Sequence, residues 1–260
     1  MKQFRAFFTA LILLGASAVG GAVESPLPPM DMIVSRAIQA AQNESSNDRA
    51  FNRHFFYTRT KTTDYHNAAG DLKEHDEKQN ANDPMHPTAN QLKKISSEAK
   101  VDSAPTSAPT DAQVSGKGKT IDKKDFPLNG DLIKRFTLTL VGSEIINGRP
   151  ALIVDFKPAG DNLPVNNFKD KFINHAAGRV WVDAGDYSLV KADLHLTQPV
   201  SIFGGLAGVV RKFDYSFDRV RTADGLWFPS DVNWHFEGRE ILVNRVIDYH
   251  EKTTDVKKVM

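Results

Sequence analysis

Eight histidines are the first residues in this chain with types suited to chemistry, because imidazole binds metals and moves protons near neutral pH. They stand at 54, 66, 75, 86, 175, 195, 235 and 250. No two are two or four residues apart, so no single strand or helix offers a pair of ring nitrogens to one metal ion. His195 and His235 fall opposite the apolar positions of their segments, which predicts solvent contact and no ligation. Cysteine is absent, which removes thiolate metal sites, thiol nucleophiles and disulfides. No Gly-x-Ser-x-Gly elbow marks a serine nucleophile. Glu74, Asp76 and Glu77 gather carboxylates on a stretch with no apolar face to raise a pKa, which reads as a solvated edge. Gly118-Lys119-Thr120 resembles the end of a phosphate-binding loop, but Gln113 stands where that motif needs glycine and no apolar strand precedes it. The expectation is a protein with no catalytic residues, no metal and no cofactor.

Charge and length narrow the classes further. Lys plus Arg number 33 against 32 Asp plus Glu, a formal net of +1, which does not suit a nucleic-acid partner. The 260 residues suffice for one large domain or two small ones. Lys2 and Arg5 precede an apolar run from Phe7 to Leu14, and Gly15, Ala16, Ser17 and Ala18 follow it, in the order of a secretory signal peptide. The run is shorter than the roughly 20 apolar residues of a membrane span. Residues 1–22 are therefore expected to direct export and to be cleaved after Ala18 or Ala22. Membrane contact of the mature chain would be at most transient.

The remaining segments must position whatever the protein binds. Met30, Ile33, Val34, Ala37, Ile38 and Ala41 recur at helical spacing, which predicts a helix over 30–42. From Phe51 to Thr63 the residues become β-branched and aromatic, and Asn67 to Gly70 make a turn before the polar arm Asp71 to Lys78, a first hairpin with an edge strand. Residues 79–124 lose apolar periodicity and gain Pro, Ser and Gly, so they read as a low-complexity insertion, with a short helix at 91–100. Residues 125–260 then alternate strands and turns. Phe136, Leu138 and Leu140 alternate up to the Asn147-Gly148 hairpin signal, and Leu152, Val154 and Phe156 alternate on the return. A short helix from Phe168, closed by Gly178, precedes a hairpin over 179–196. Three more strands follow, with turns at Asp224-Gly225 and Glu237-Gly238. The apolar loop from Pro199 to Val210 needs burial, as a plug against the sheet or as a flap over a cavity. The whole is a mainly β chain with a few helices, an antiparallel meander of about eight strands that curls by its own twist.

The exported N terminus, the N-terminal helix and long hairpin, and the segments Val141 to Pro150, Gly178 to Asp183 and Gly225 to Pro229 together resemble the LolA/LolB-like superfamily of bacterial outer-membrane lipoprotein-sorting proteins. The resemblance covers 29–80 loosely and 129–250 better. It implies an unclosed, half β-barrel capped by helices, located in the periplasm, with a hydrophobic cavity for acyl chains and no enzymatic activity. Absence of cysteine places the chain with the soluble carrier type. Candidate cavity-lining residues are Phe136, Leu138, Leu140, Val154, Phe156 and Leu194, with Phe203 and Leu206 at a lid and Arg59 as a candidate cavity arginine. The implied partners are lipid or lipoprotein acyl chains. The alternative is an envelope structural or sensory module whose barrel is plugged and which binds a protein partner.

Overall fold

A computed structural model describes residues 27–87, 128–202, 208–240 and 243–260. The expected signal peptide, the helix at 91–100, the loop glycines at 116 and 118, and the lid residues Phe203 and Leu206 lie outside the described residues, as does most of the 79–124 insertion. Helix α1 (Met30–Gln42) follows its apolar spacing and buries Ile33 and Ala37 one turn apart. Helix α2 (Glu44–His54) follows directly after Asn43. Strands β1 (Phe55–His66) and β2 (Leu72–Asn82) make the first hairpin. A single turn, α3 (Gly130–Ile133), leads into β3 (Phe136–Ile146) and β4 (Arg149–Pro158). Helix α4 (Phe168–Ile173) precedes β5 (Ala176–Asp183), β6 (Leu189–Leu196) and β7 (Val200–Ile202). The chain ends in three long strands, β8 (Gly208–Arg221), β9 (Trp227–Glu240) and β10 (Val243–Lys258).

Among the described residues all strands join one antiparallel sheet of ten, in the order β2-β1-β10-β9-β8-β6-β5-β4-β3, with β7 paired to β8 alone. Neighbours in sequence are mostly neighbours in space, as in a meander. The exception is β1, which pairs with the C-terminal β10 from Phe55 opposite Lys258 to His66 opposite Val246. The two end strands, β2 and β3, do not pair with each other, so the sheet is not closed into a barrel. The mainly β, unclosed architecture expected from the sequence is therefore what the chain adopts. The polar arm forms the edge strand β2, whose charged side chains discourage further pairing; it runs on to Asn82, paired with Tyr57, so the strand extends past the expected start of the insertion at 79.

Three local expectations are corrected. Phe51 does not begin a strand; it ends a turn of α2, where it is 2 % exposed and its ring stacks on Phe55, Tyr57 and Phe228 at centroid distances of 5.2, 5.2 and 4.8 Å. Sequence periodicity missed this helix because Ala50 and Phe51 are its only apolar residues. Gly178 does not close α4. That helix stops at Ile173 with Asn174 at its C-cap, and Gly178 lies inside β5, where a Cβ would overlap the carbonyl oxygen of Asp193. Glu237-Gly238 is not a turn either: β9 runs through to Glu240, and the missing side chain of Gly238 admits the Val209 carbonyl and the Phe236 ring. In both cases glycine marks the close approach of another backbone.

Packing is one-sided. Ile33 and Ala37 of α1 sit on Leu152, Val154 and Val182. Phe51 of α2 sits on Phe55 and Phe228, and Phe172 of α4 joins Val200, Val210 and Phe213. Strand alternation puts the partners of α1 and α4 on one face of the sheet. Among the described residues no helix is long and apolar enough to cross a membrane.

Candidate functional site

The register brings the six expected lining residues onto the helix-bearing face. Leu138 lies opposite Phe156 and Leu140 opposite Val154. Phe156 lies opposite Gly178, which lies opposite Leu194. Phe136 sits two residues before Leu138 on the same side, its ring edge-on to Phe156 at 5.2 Å. They differ in what covers them. Val154 is core beneath α1, with Leu138 and Leu140 packed beside it, whereas Leu194 packs with the group under α4. Phe156 lies between the two groups and is half-buried.

One row crosses the middle of this face: Leu138, Phe156, Gly178, Leu194, Tyr215, Trp234 and Tyr249 stand directly opposite one another on seven successive strands. At the usual spacing this row is about 29 Å long. Gly178 contributes no side chain, and the place a Cβ would take is filled by the Asp193 carbonyl and the Leu194 backbone, so β5 and β6 approach closely at this point of the row. Most of the row is half-buried, and Phe217 and Val232 beside it are half-buried as well. The aromatics Tyr215 and Trp234 on this row, and Phe217 beside it, come from β8 and β9, where they alternate with Asp, Ser and His in the sequence.

Arg59 is on the same face, at the β1 end of the sheet. Its guanidinium lies 3.2 Å from Glu251, which Lys61 also approaches at 3.0 Å, and it stands over the Tyr57 ring. Tyr249 donates its hydroxyl to Glu251 at 2.6 Å. Burial works to raise the carboxyl of Glu251, but the Tyr249 hydrogen bond and the charges of Arg59 and Lys61 hold it below its ordinary value. Burial and the Glu251 carboxylate together push the Tyr249 hydroxyl well up. Glu251 therefore stays ionised, and Arg59 has an anionic partner from its own protein.

The opposite face is polar. A depression of about 880 Å³ spans seven strands there, lined by Asp155, Asp193, Asp214, His235, Asp248 and His250 among others. His195 and His235 both reach it, so the expectation that they face water holds; but His235 is not free, since both its ring nitrogens contact carboxylates. The aspartates are paired as well. Asp155 takes a two-pronged contact from Arg179, at 2.6 and 3.0 Å. Asp214 lies 3.2 Å from Lys212, and Asp64 lies 2.5 Å from His75. Most of its carboxylates are thus engaged by side chains of the protein itself, and among the described residues no group of three or more His, Cys, Asp or Glu could hold a metal ion.

No family model matches the chain, and no curated protein matches it. Among solved structures it is similar to an outer membrane lipoprotein-sorting protein domain from Vibrio parahaemolyticus, at 13 % identity over 86 % of this chain and 93 % of that one, with a TM-score of 0.31. It is similar also to a LolA superfamily protein from Nitrosomonas europaea, at 8 % identity over 90 % and 95 % of the two chains, TM-score 0.34. A third is a chain of the MucA/MucB complex of Pseudomonas aeruginosa, at 9 % identity over 85 % and 99 %, TM-score 0.23. These likenesses supply no residue roles. By structural comparison, the chain's neighbours are LolA-superfamily and outer membrane lipoprotein-sorting domains.

Proposed function

We propose that this protein is a non-enzymatic envelope carrier that shelters an acyl chain of a lipid or lipoprotein on the helix-bearing face of its sheet. The observation that supports the reading is the half-buried apolar row from Leu138 through Phe156, Leu194 and Tyr215 to Trp234. Transfer of hydrocarbon out of water is worth about 0.8 kcal/mol per methylene, so a chain of about fourteen methylenes needs some 11 kcal/mol of apolar shelter to leave a bilayer reversibly. A row about 29 Å long exceeds the extended length of such a chain. Phe136, Leu138, Leu140, Val154, Phe156 and Leu194 are proposed as its wall, with Val154 shielded by α1 and Phe156 and Leu194 nearest the ligand. Phe203 and Leu206 are proposed as its lid. Arg59 is proposed to mark the polar end, held by Glu251. Export to the periplasm through the cleaved segment 1–22 belongs to the same reading.

The test is a lipid inventory. Protein purified from a periplasmic fraction should carry lipid by native mass spectrometry, and a fluorescent acyl probe should saturate on it. Leu194→Glu should weaken the probe at least tenfold while leaving the far-ultraviolet circular dichroism unchanged. Absence of lipid together with a probe that never saturates would reject the carrier.

A second reading, an envelope module that binds a protein, is favoured by the open edge at β3, where Val141 and Ile145 are 50 % and 68 % exposed. If Ile145→Lys abolishes chemical cross-linking to an envelope protein and leaves acyl-probe binding intact, this second reading is preferred.

A further inference from the structure

His235 on β9 is held at both ring nitrogens by carboxylates. Nδ1 lies 2.7 Å from Asp248 on β10, and Nε2 lies 3.0 Å from Glu237 on its own strand. A neutral imidazole has one N–H and one lone pair, and an ionised carboxylate can only accept. Both contacts are therefore hydrogen bonds only when the ring carries two protons.

The surroundings extend this contact into a chain across four strands. Asp248 is also approached by Nε2 of His66 on β1, at 3.2 Å. Glu237 lies 3.9 Å from Lys212 on β8, which lies 3.2 Å from Asp214. The titratable groups facing His235 are thus Asp214 and Lys212 from β8, Asp248 and His250 from β10, and Glu237 from β9. One strand further out stand Asp64 and His66 on β1, and Asp193 and His195 on β6. His250 is engaged by Asp231 at 3.0 Å and does not compete for Asp248. Carboxylates outnumber Lys212 around the ring. Directly behind this network, on the other face, Trp234 and Tyr249 stack at 5.1 Å, each adjacent in sequence to one member of the His235–Asp248 pair.

We propose that His235 is a proton-operated staple: as imidazolium it ties β1, β10, β9 and β8 together across the polar face, and on losing its proton it releases one carboxylate and loosens the strands that carry Trp234 and Tyr249. A neutral ring must turn its lone pair toward Asp248 or Glu237, and at 2.7 or 3.0 Å that contact becomes repulsive. Burial pulls the pKa of His235 down, but the hydrogen bonds to Asp248 and Glu237 and the Asp248 charge outweigh it and leave the pKa raised. A histidine whose folded pKa exceeds its unfolded one stabilises the fold fully below the unfolded value, and that stabilisation fades as pH rises through the folded value. The staple thus tightens in acid and loosens toward alkaline pH, independently of whether the other face carries an acyl chain.

Long-range proton–nitrogen spectra of the full ¹⁵N-labelled chain test this directly, with His235 assigned by its disappearance in His235→Gln. Both ring nitrogens of His235 should carry protons at the ordinary histidine pKa of about 6.5, with the midpoint above that value, and Asp248→Asn should lower the midpoint. A single neutral tautomer at that pH, or a midpoint unmoved by Asp248→Asn, overturns the proposal. A thermal series adds an independent measurement. The Tm difference between wild type and His235→Gln should be greatest below about pH 6.5 and shrink as pH rises past the measured midpoint; a gap that does not change with pH also overturns it.

Discussion

Asp183 shows how much one buried charge needs in order to stay folded. It is 1 % exposed, and Arg149 grips it with Nε and Nη2 at 2.6 and 2.7 Å. The backbone N–H groups of Gly185 and Asp186 donate to it at 2.8 and 2.9 Å, so the turn after β5 is built around this carboxylate. Burial works to raise its pKa, but the Arg149 hydrogen bonds and the two amides leave it lowered. Removing the partner of a buried ion costs about 3–5 kcal/mol, and half-exposed Arg149 falls at the lower end. Arg149→Ala is expected to cost about 3 kcal/mol in urea unfolding. A carboxylate with a lowered folded pKa stabilises the fold above its unfolded value and loses that contribution as pH falls through the folded one. Asp183→Asn should therefore be less stable than wild type at neutral pH, with the gap closing toward strongly acidic pH in a Tm series. No sequence spacing links Arg149 to Asp183; the β4–β5 register, with Ala151 opposite Asp183, brings them together.

Two glycines separate local from non-local causes at the level of elements. Asn147 and Gly148 take φ of 50° and 76°, the left-handed pair that a two-residue hairpin requires. A Cβ at Gly148 would meet open space, so Gly148→Ala carries backbone strain alone, about 1 kcal/mol by thermal unfolding. This turn was legible because its chemistry is contained in two adjacent residues. Gly178 was misread because its cause is β6, fifteen or so residues away: the Asp193 carbonyl occupies the space a side chain would take. Gly178→Ala must push β5 and β6 apart, which is expected to cost about 3 kcal/mol and to speed amide exchange in both strands. Helix α2 gives the same lesson. Its sequence is polar with one buried aromatic, and it holds because Phe51 enters the Phe55 and Phe228 group and Asn47 bonds the Trp227 backbone in both directions, at 2.6 and 2.8 Å. Phe51→Ala should cost about 4 kcal/mol in denaturant unfolding.

The described residues form one sheet in which the first strand of the chain pairs with the last. β10 lies between β1 and β9, so the first hairpin reaches the rest of the sheet only through the last strand. Such pairing joins residues as far apart as Phe55 and Lys258, and it should form late, since the entropy of closure precedes the reward of contact. Truncation after Arg245 is expected to release β1 and β2. Their amides should then exchange as fast as those of an unfolded chain, while β3 to β6 keep their protection. Equal protection in both regions would contradict this account. The asymmetry of the faces belongs to the same scale: helices α1 and α4 cover one side and leave the row at Phe156, Leu194 and Tyr215 half-buried, and the other side carries the polar, carboxylate-rich depression.

Local patterns in the chain suffice for the class and most of the elements: a mainly β chain, helix α1, the hairpin at Asn147-Gly148, the charged edge strand and the shared face of Leu138, Val154, Phe156 and Leu194. These follow from side-chain alternation and turn chemistry, which act over a few neighbouring residues. The pairing of β1 with β10, the pinning of Arg59 by Glu251, the seat of Phe51, and the His235 network across β8 to β1 come from the folded sheet. Each of these joins residues far apart in the chain, and its energy comes from a partner that no local pattern encodes.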